Sequence, residues 1–99
     1  MIMKNTLILT QKDNVATALE DVSAGDQAGV YTASGDLTDS IYASRDIPRG
    51  HKIALQDIPS GGSVIKYGFQ IGIASRGIRR GDYVHTHNLE SARGRGDLE

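Results

Sequence analysis

Three histidines carry most of the chemistry this chain could do. Two of them form His85-x-His87. On a strand, side chains alternate with period 2, so Tyr83, His85 and His87 would share one face. Histidine is the commonest metal ligand, and its ordinary pKa lies near neutrality. The pair could hold a divalent cation together with carboxylates from elsewhere, since two ligands do not complete a site. It could equally make ordinary hydrogen bonds at a surface or an interface. His51 directly follows Pro48-Arg49-Gly50, and a loop residue held by a stiff turn is well placed to act on a ligand. It suits general acid or base work, or a plain bond to a carbonyl that steadies the turn. Lys52 could bind a carboxylate. On a strand it faces opposite to His51, so at most one of the two points into a given cleft. Lys66, next to Tyr67-Gly68, carries the same ambiguity, with Tyr67 read as core or rim. Asp13-Asn14 reads from residue type as a capping or turn pair.

The stretch that must position these groups is Arg45–Tyr67. It contains both prolines of the chain, each inside Asp-Ile-Pro-x-Gly, at Asp46–Gly50 and Asp57–Gly61. Proline presets φ at the second position of a β-turn, and glycine is favoured two positions later. The isoleucine before it is pushed toward extended geometry. Each phrase therefore delivers an apolar residue inward and turns the chain. Looser copies stand at Asp21–Gly25 and Gly77–Gly81. Their spacing is irregular, which excludes a solenoid and suggests one corner used repeatedly in a small β domain.

Ninety-nine residues fit one domain. A chain of this size buries only about two-thirds of its unfolded surface, so one wall of an active cleft would have to come from another chain. The net charge of −1 does not favour nucleic acid or a membrane surface as partner. With no cysteine, disulfides and thiolate metal sites are excluded, which fits a cytoplasmic location. The apolar run Leu7-Ile8-Leu9 is too short for a signal peptide or a membrane span.

In order, Asn5–Thr10 reads as a strand. Val15–Leu19 fits a short helix or a short buried strand, and periodicity does not decide between them. Ala28–Thr32 reads as one arm of a hairpin with its turn at Gly35-Asp36, and Ile41–Ala43 as the next strand. His51–Leu55, Ser63–Tyr67 and Gln70–Ser75 follow, the last with a glycine that suggests a bulge or a close approach. Arg76, Arg79 and Arg80 form either a solvated face or a patch for an anion. Asp82–Leu89 reads as the final strand. Residues 91–99 read as a flexible tail or linker stub after a domain over 1–90. Its Arg95-Gly96-Asp97 is too short a match to support an adhesion role.

Several segments, taken in sequence, resemble one family. They are Asp13-Asn14-Val15-Ala16, Pro48-Arg49-Gly50-His51-Lys52, Ala54-Leu55-x-Asp57-Ile58-Pro59, Ile65-Lys66-Tyr67-Gly68, Ile71-Gly72 and His85-Thr86-His87-Asn88. The set resembles the SAF (antifreeze-like, β-clip) domain of the altronate and galactarate dehydratase family, which includes the small subunit of sulfolactate sulfo-lyase. The resemblance implies an all-β β-clip fold with at most one short helix. It implies a lyase subunit that works with a large catalytic subunit on a small hydroxy-acid, by β-elimination of hydroxide or of sulfite. It also implies a divalent metal, Fe2+ first and Mg2+ or Mn2+ as alternatives, held mainly by the large subunit. In that setting His51 is the expected catalytic group. Asp13, Asn14, Lys52, Lys66 and Asn88 are expected at the substrate, and His85 and His87 at the metal. A homo-oligomer is allowed. SAF-type domains also occur in non-enzymatic settings, so a carbohydrate-binding or assembly module is the other expectation.

Overall fold

The structure is a computed structural model that describes residues 2–91. Among these the fold is all-β, with nine strands and no helix: β1 (Lys4–Leu7), β2 (Val15–Ala18), β3 (Gln27–Tyr31), β4 (Leu37–Tyr42), β5 (Lys52–Ala54), β6 (Ser63–Lys66), β7 (Phe69–Ala74), β8 (Tyr83–Val84) and β9 (Leu89–Ser91). Six of them form one sheet in the order β4-β3-β1-β2-β5-β8, and three form a second in the order β6-β7-β9. The β1–β3 pair is parallel and the other pairs are antiparallel.

The corners organise both sheets. Each of the four belongs to a longer phrase, Ala-x-x-Asp-(Val or Ile)-x-x-Gly, beginning at Ala18, Ala43, Ala54 and Ala74, with Gly77 in place of aspartate in the last. They dock in pairs. Val22 bridges Ile47, and Ile58 bridges Ile78. Within a pair, each corner's glycine N–H donates to the first alanine's carbonyl of its partner: Gly25 to Ala43, Gly50 to Ala18, Gly61 to Ala74 and Gly81 to Ala54, at 2.7–2.8 Å. Those glycines lie at φ between 84° and 92°, a region that costs other residues strain. The aspartates bind across the pair as well. Asp21 Oδ1 accepts Arg49 N–H at 2.9 Å, Asp46 Oδ1 accepts Ala24 N–H at 2.8 Å, and Asp57 Oδ1 accepts Arg80 N–H at 2.9 Å. The inward apolar residues Val22, Ile47, Ile58 and Ile78 are all at most 3% exposed. Each is worth about 1.5–3 kcal/mol of apolar burial.

Two cores result. One gathers Ile8, Ala16, Ala18, Val22, Val30, Ile41, Ile47 and Ile53 among others. The second gathers Val15, Ala54, Ile58, Val64, Ala74, Ile78 and Val84. Strands β2 and β5 run between them, with alternate residues in each. Of Val15–Leu19, where a helix was the other option, Val15–Ala18 is a strand buried on both faces, and Leu19 lies beyond its end, exposed. The hairpin expected around Gly35-Asp36 is present as β3 and β4. The first strand is shorter than expected, because Thr10 leaves it for a turn that Asp13 organises. The last expected strand is a correction: Asp82–Leu89 is not one element. β8 ends at Val84, the chain turns over residues 85–88, and β9 begins at Leu89. Ser91 still belongs to β9, and the rest of the expected tail, with its Arg95-Gly96-Asp97, lies outside the described residues. Among the described residues no helix is long and apolar enough to cross a membrane.

Candidate functional site

The three histidines come together around Tyr83. Antiparallel pairing sets Lys52 opposite Val84 and Ile53 opposite Tyr83. One step along the same ladder brings His51 beside His85. The ring centroids of His51 and His85 lie 4.9 Å apart, edge to face. Tyr83 and His85 stack at 5.5 Å with 5° between planes, and His87 sits 5.7 Å from Tyr83. The Tyr83 hydroxyl and His51 Nδ1 share a hydrogen bond of 2.8 Å. Arg45 places its guanidinium 5.8 Å from the Tyr83 ring centre, within cation–π range.

The corner chemistry explains why a histidine can stand at position 51. In the first and last corners the matching residue is an aspartate. Asp26 accepts the Ser23 N–H at 2.9 Å, and Asp82 accepts the Arg79 N–H at 2.9 Å. In the second corner the donor's place is taken by Pro48, which has no N–H. No acceptor is needed there, and His51 turns to Tyr83 instead.

His85 and His87 meet Tyr83 through a turn, although alternation along a strand was the reason for expecting them together. Asn88 builds that turn. Its Oδ1 accepts His85 N–H at 2.9 Å, and its Nδ2 donates to the Tyr83 carbonyl at 2.8 Å. The side chain is 4% exposed, so it braces the loop from inside. Loss of water contact, then the charges of Arg45, Arg76 and His85, hold His87 below the usual imidazole range, against the opposing pull of Asp82. Tyr83 was read from the sequence only as a face-mate of the histidines. Its signal was the period-2 spacing to His85, but the bond to His51 depends on the β5–β8 register.

The remaining expected site residues lie elsewhere. Asp13 and Asn14 face main chain. Asp13 accepts from Leu9 N–H at 3.0 Å, Thr10 N–H at 3.3 Å, Thr10 Oγ1 at 2.8 Å and Gly68 N–H at 2.7 Å. Burial works against its charge, yet these bonds hold its pKa below the ordinary value. Asn14 clips β6, donating to the Ser63 carbonyl at 2.8 Å and accepting Ile65 N–H at 2.7 Å. Lys52 and Lys66 are half-buried. Val84 and Ala54 belong to the second core while Ile53 and Tyr83 pack on the first. Alternation therefore sends Lys52 to the opposite face from His51, as expected. Arg80 is a strut: its guanidinium forks onto Asp39 at 2.7 and 3.0 Å and also donates to the Leu55 and Ser40 carbonyls. A surface cavity of about 350 Å³ lies against Leu9, Thr10, Asp13, Asp39 and Leu55, and no histidine borders it.

A metal fits this chain poorly. Among the described residues no three His, Cys, Asp or Glu side chains could hold an ion together. The three imidazoles gather around Tyr83 without forming such a set, so an ion on His85 and His87 would need a further ligand from another chain. Its arrangement suits proton transfer and hydrogen bonding to a ligand that another surface would cover.

Comparison with known proteins agrees with the resemblance. The family described as the altronate/galactarate dehydratase SAF domain matches residues 4–92. The chain is 42% identical over 89 residues to altronate dehydratase of Bacillus subtilis, covering 90% of this chain and 17% of that protein. It is 36% identical over 75 residues to the (2R)-sulfolactate sulfo-lyase subunit alpha of Chromohalobacter salexigens, covering 76% of this chain and 80% of that one. It is 42% identical over 72 residues to galactarate dehydratase (L-threo-forming) of Escherichia coli, covering 73% of this chain and 12% of that protein. The chain thus spans less than a fifth of the dehydratases it matches and most of the sulfo-lyase subunit. On its fold and on these matches, it belongs to the altronate/galactarate dehydratase SAF-domain family.

Proposed function

We propose that this chain is the SAF component of a hydroxy-acid lyase, acting with a large catalytic chain on a sugar acid or on sulfolactate. The observation that supports it best is the convergence of His51, His85 and His87 on Tyr83 at one rim of a small β scaffold. The relatives that match this chain over most of their length are named as alpha subunits, which supports a partner chain.

In this reading the chain closes a cleft. With the His51 Nδ1 proton donated to the Tyr83 oxygen, Nε2 is left as a base. It takes the proton α to the substrate carboxylate. The C–H electron pair forms the carbon–carbon double bond, and the group on the next carbon leaves with its own pair, as hydroxide or sulfite. The enol then becomes the keto acid. Tyr83 orients His51, while His85 and His87 donate to substrate oxygens and exclude water. Asn88 holds the turn that presents His85 and His87. A divalent ion on the large chain would stabilise the enolate charge.

The test mixes the full chain with its large lyase partner and assays altronate, galactarate and sulfolactate. Activity should rise above that of the partner alone. His51→Gln should remove the gain, and Tyr83→Phe should lower kcat about tenfold or more while shifting the pH profile. A mixture no faster than the large chain alone overturns the proposal.

A further inference from the structure

The histidine rim carries two guanidinium groups with which, among the described residues, no carboxylate forms an ion pair. Arg45 stands in the second corner between two pinned neighbours. Ser44 N–H donates to the Gly81 carbonyl at 3.0 Å, and Ser44 Oγ donates to Asp82 Oδ1 at 3.0 Å. On the other side Asp46 Oδ1 accepts Ala24 N–H at 2.8 Å. The backbone at Arg45 is therefore held from both sides, and its exposed guanidinium lies 5.8 Å from the centre of the Tyr83 ring. His85 and His87 border that same ring. Arg76 approaches from the second sheet. It follows the end of β7, where Ser75 N–H donates to the Asn88 carbonyl at 2.9 Å. That bond sets Arg76 beside the turn over residues 85–88. His87 feels both arginines, Arg45 more strongly.

Acids to neutralise them were not scarce, since the chain has 12 Asp and Glu against 11 Lys and Arg. Arg80, in the same corner as Arg76, takes Asp39 in a fork. Asp82 is the acid whose charge reaches His87, but its two oxygens are occupied by the Ser44 hydroxyl and the Arg79 N–H. A planar guanidinium matches a carboxylate or a sulfonate through parallel N–H bonds. Two of them at the edge of a cleft that a partner covers would face less water, and their field on an anion would be stronger than on an open surface. In the lyase reading, the carboxylate beside the reacting carbon faces the ion on the large chain. The arginines are then left for a second acidic group.

We propose that Arg45, with Arg76 beside it, binds a second anionic group of the substrate, a distal carboxylate or a sulfonate, and so makes the chain selective for hydroxy-acids that carry two negative charges. The inference rests on the lyase reading and narrows its substrate class. Galactarate and sulfolactate meet the requirement. Altronate, with one carboxylate, does not.

The experiment assays the full chain and its large lyase partner with the three acids at equal ionic strength. kcat/KM should be higher for galactarate or sulfolactate than for altronate. Arg45→Gln should lower it about tenfold for the dianionic acid, as loss of one charged contact implies, and leave altronate within about twofold. Arg45→Lys should keep part of the preference, since the charge stays and the fork goes. Lys12→Gln removes the same charge from the turn that Asp13 organises and should alter none of the three rates. A purely structural role for Arg45 would slow all three acids alike. Equal losses on all three, or a wild-type preference for altronate, overturn the inference. A mixture no faster than the large chain alone overturns the lyase reading instead. The arginine site is then decided on the full chain by itself, through NMR signals of the Arg45 Nε–H and the Tyr83–His87 amides during titration with acetate and with methanesulfonate, each against sodium chloride. Saturable shifts that Arg45→Gln abolishes support the site, and the stronger probe identifies carboxylate or sulfonate. Shifts that chloride reproduces, or that Arg45→Gln retains, overturn it.

Discussion

Replacing Gly77 by aspartate should make the protein more stable. Three corners carry an aspartate that accepts an N–H from the paired corner, at 2.8–2.9 Å. By the same pairing, an aspartate at 77 would accept the N–H of Ser60. Among the described residues that N–H has no protein acceptor. Gly77 does not use positive φ, and nothing lies within 4 Å of where its Cβ would stand. The substitution therefore costs no strain. Removing a glycine from a compatible position stabilises by about 0.4–1 kcal/mol through the unfolded chain. One exposed bond to a carboxylate adds about 0.5–1 kcal/mol. The neighbouring Arg76, Arg79 and Arg80 favour the new charge. The sum, about 1–2 kcal/mol, corresponds to a rise in Tm of roughly 5–15 °C for a chain of this size. Gly77→Ala isolates the backbone share and should give about half. Thermal and urea unfolding followed by circular dichroism measure both variants. If Gly77→Asp is no more stable than Gly77→Ala at neutral pH, the corner-to-corner clamp contributes nothing and the account of the fold is wrong.

Two further outcomes follow from the same structure. Asp13→Asn leaves part of a four-bond turn without its charged acceptor and should cost about 2 kcal/mol near neutrality. The folded Asp13 pKa lies below its unfolded value, so its contribution is present above the unfolded value and lost as pH falls through the folded one; the gap between wild type and variant in urea unfolding should close in acid. Arg76→Gln removes one of the charges that depress His87. An NMR titration should show the His87 pKa rising toward the ordinary value, and a fall or no change would show that the two groups do not interact.

The corners were legible from sequence because proline and glycine constrain φ locally. Their pairing was not, since Val22 finds Ile47 and Ile58 finds Ile78 only through long-range packing. The buried strand Val15–Ala18 was ambiguous for a related reason: a strand between two cores loses its alternation and reads like a short helix. The grouping of His85 with His87 was anticipated on a wrong geometric premise. A short side-chain-closed turn overrode the strand, because Asn88 offers the backbone local bonds in place of a ladder. Asp13 and Asn14 read from residue type as turn formers, and they hold turns. The arrival of His51 at Tyr83 depended on a two-residue strand pairing that no local pattern announces.

The prolines have one more consequence. Each removes a donor and so releases the residue three positions later from serving as its acceptor. At Pro59 that residue is Gly62, and a Cβ there would stand 2.9 Å from the Ile58 methyl and from the Pro59 carbonyl. Crowding keeps that second opening bare. Of two equivalent places the fold makes available, only the one at 51 can bear a functional group, and it is the one that faces the tyrosine.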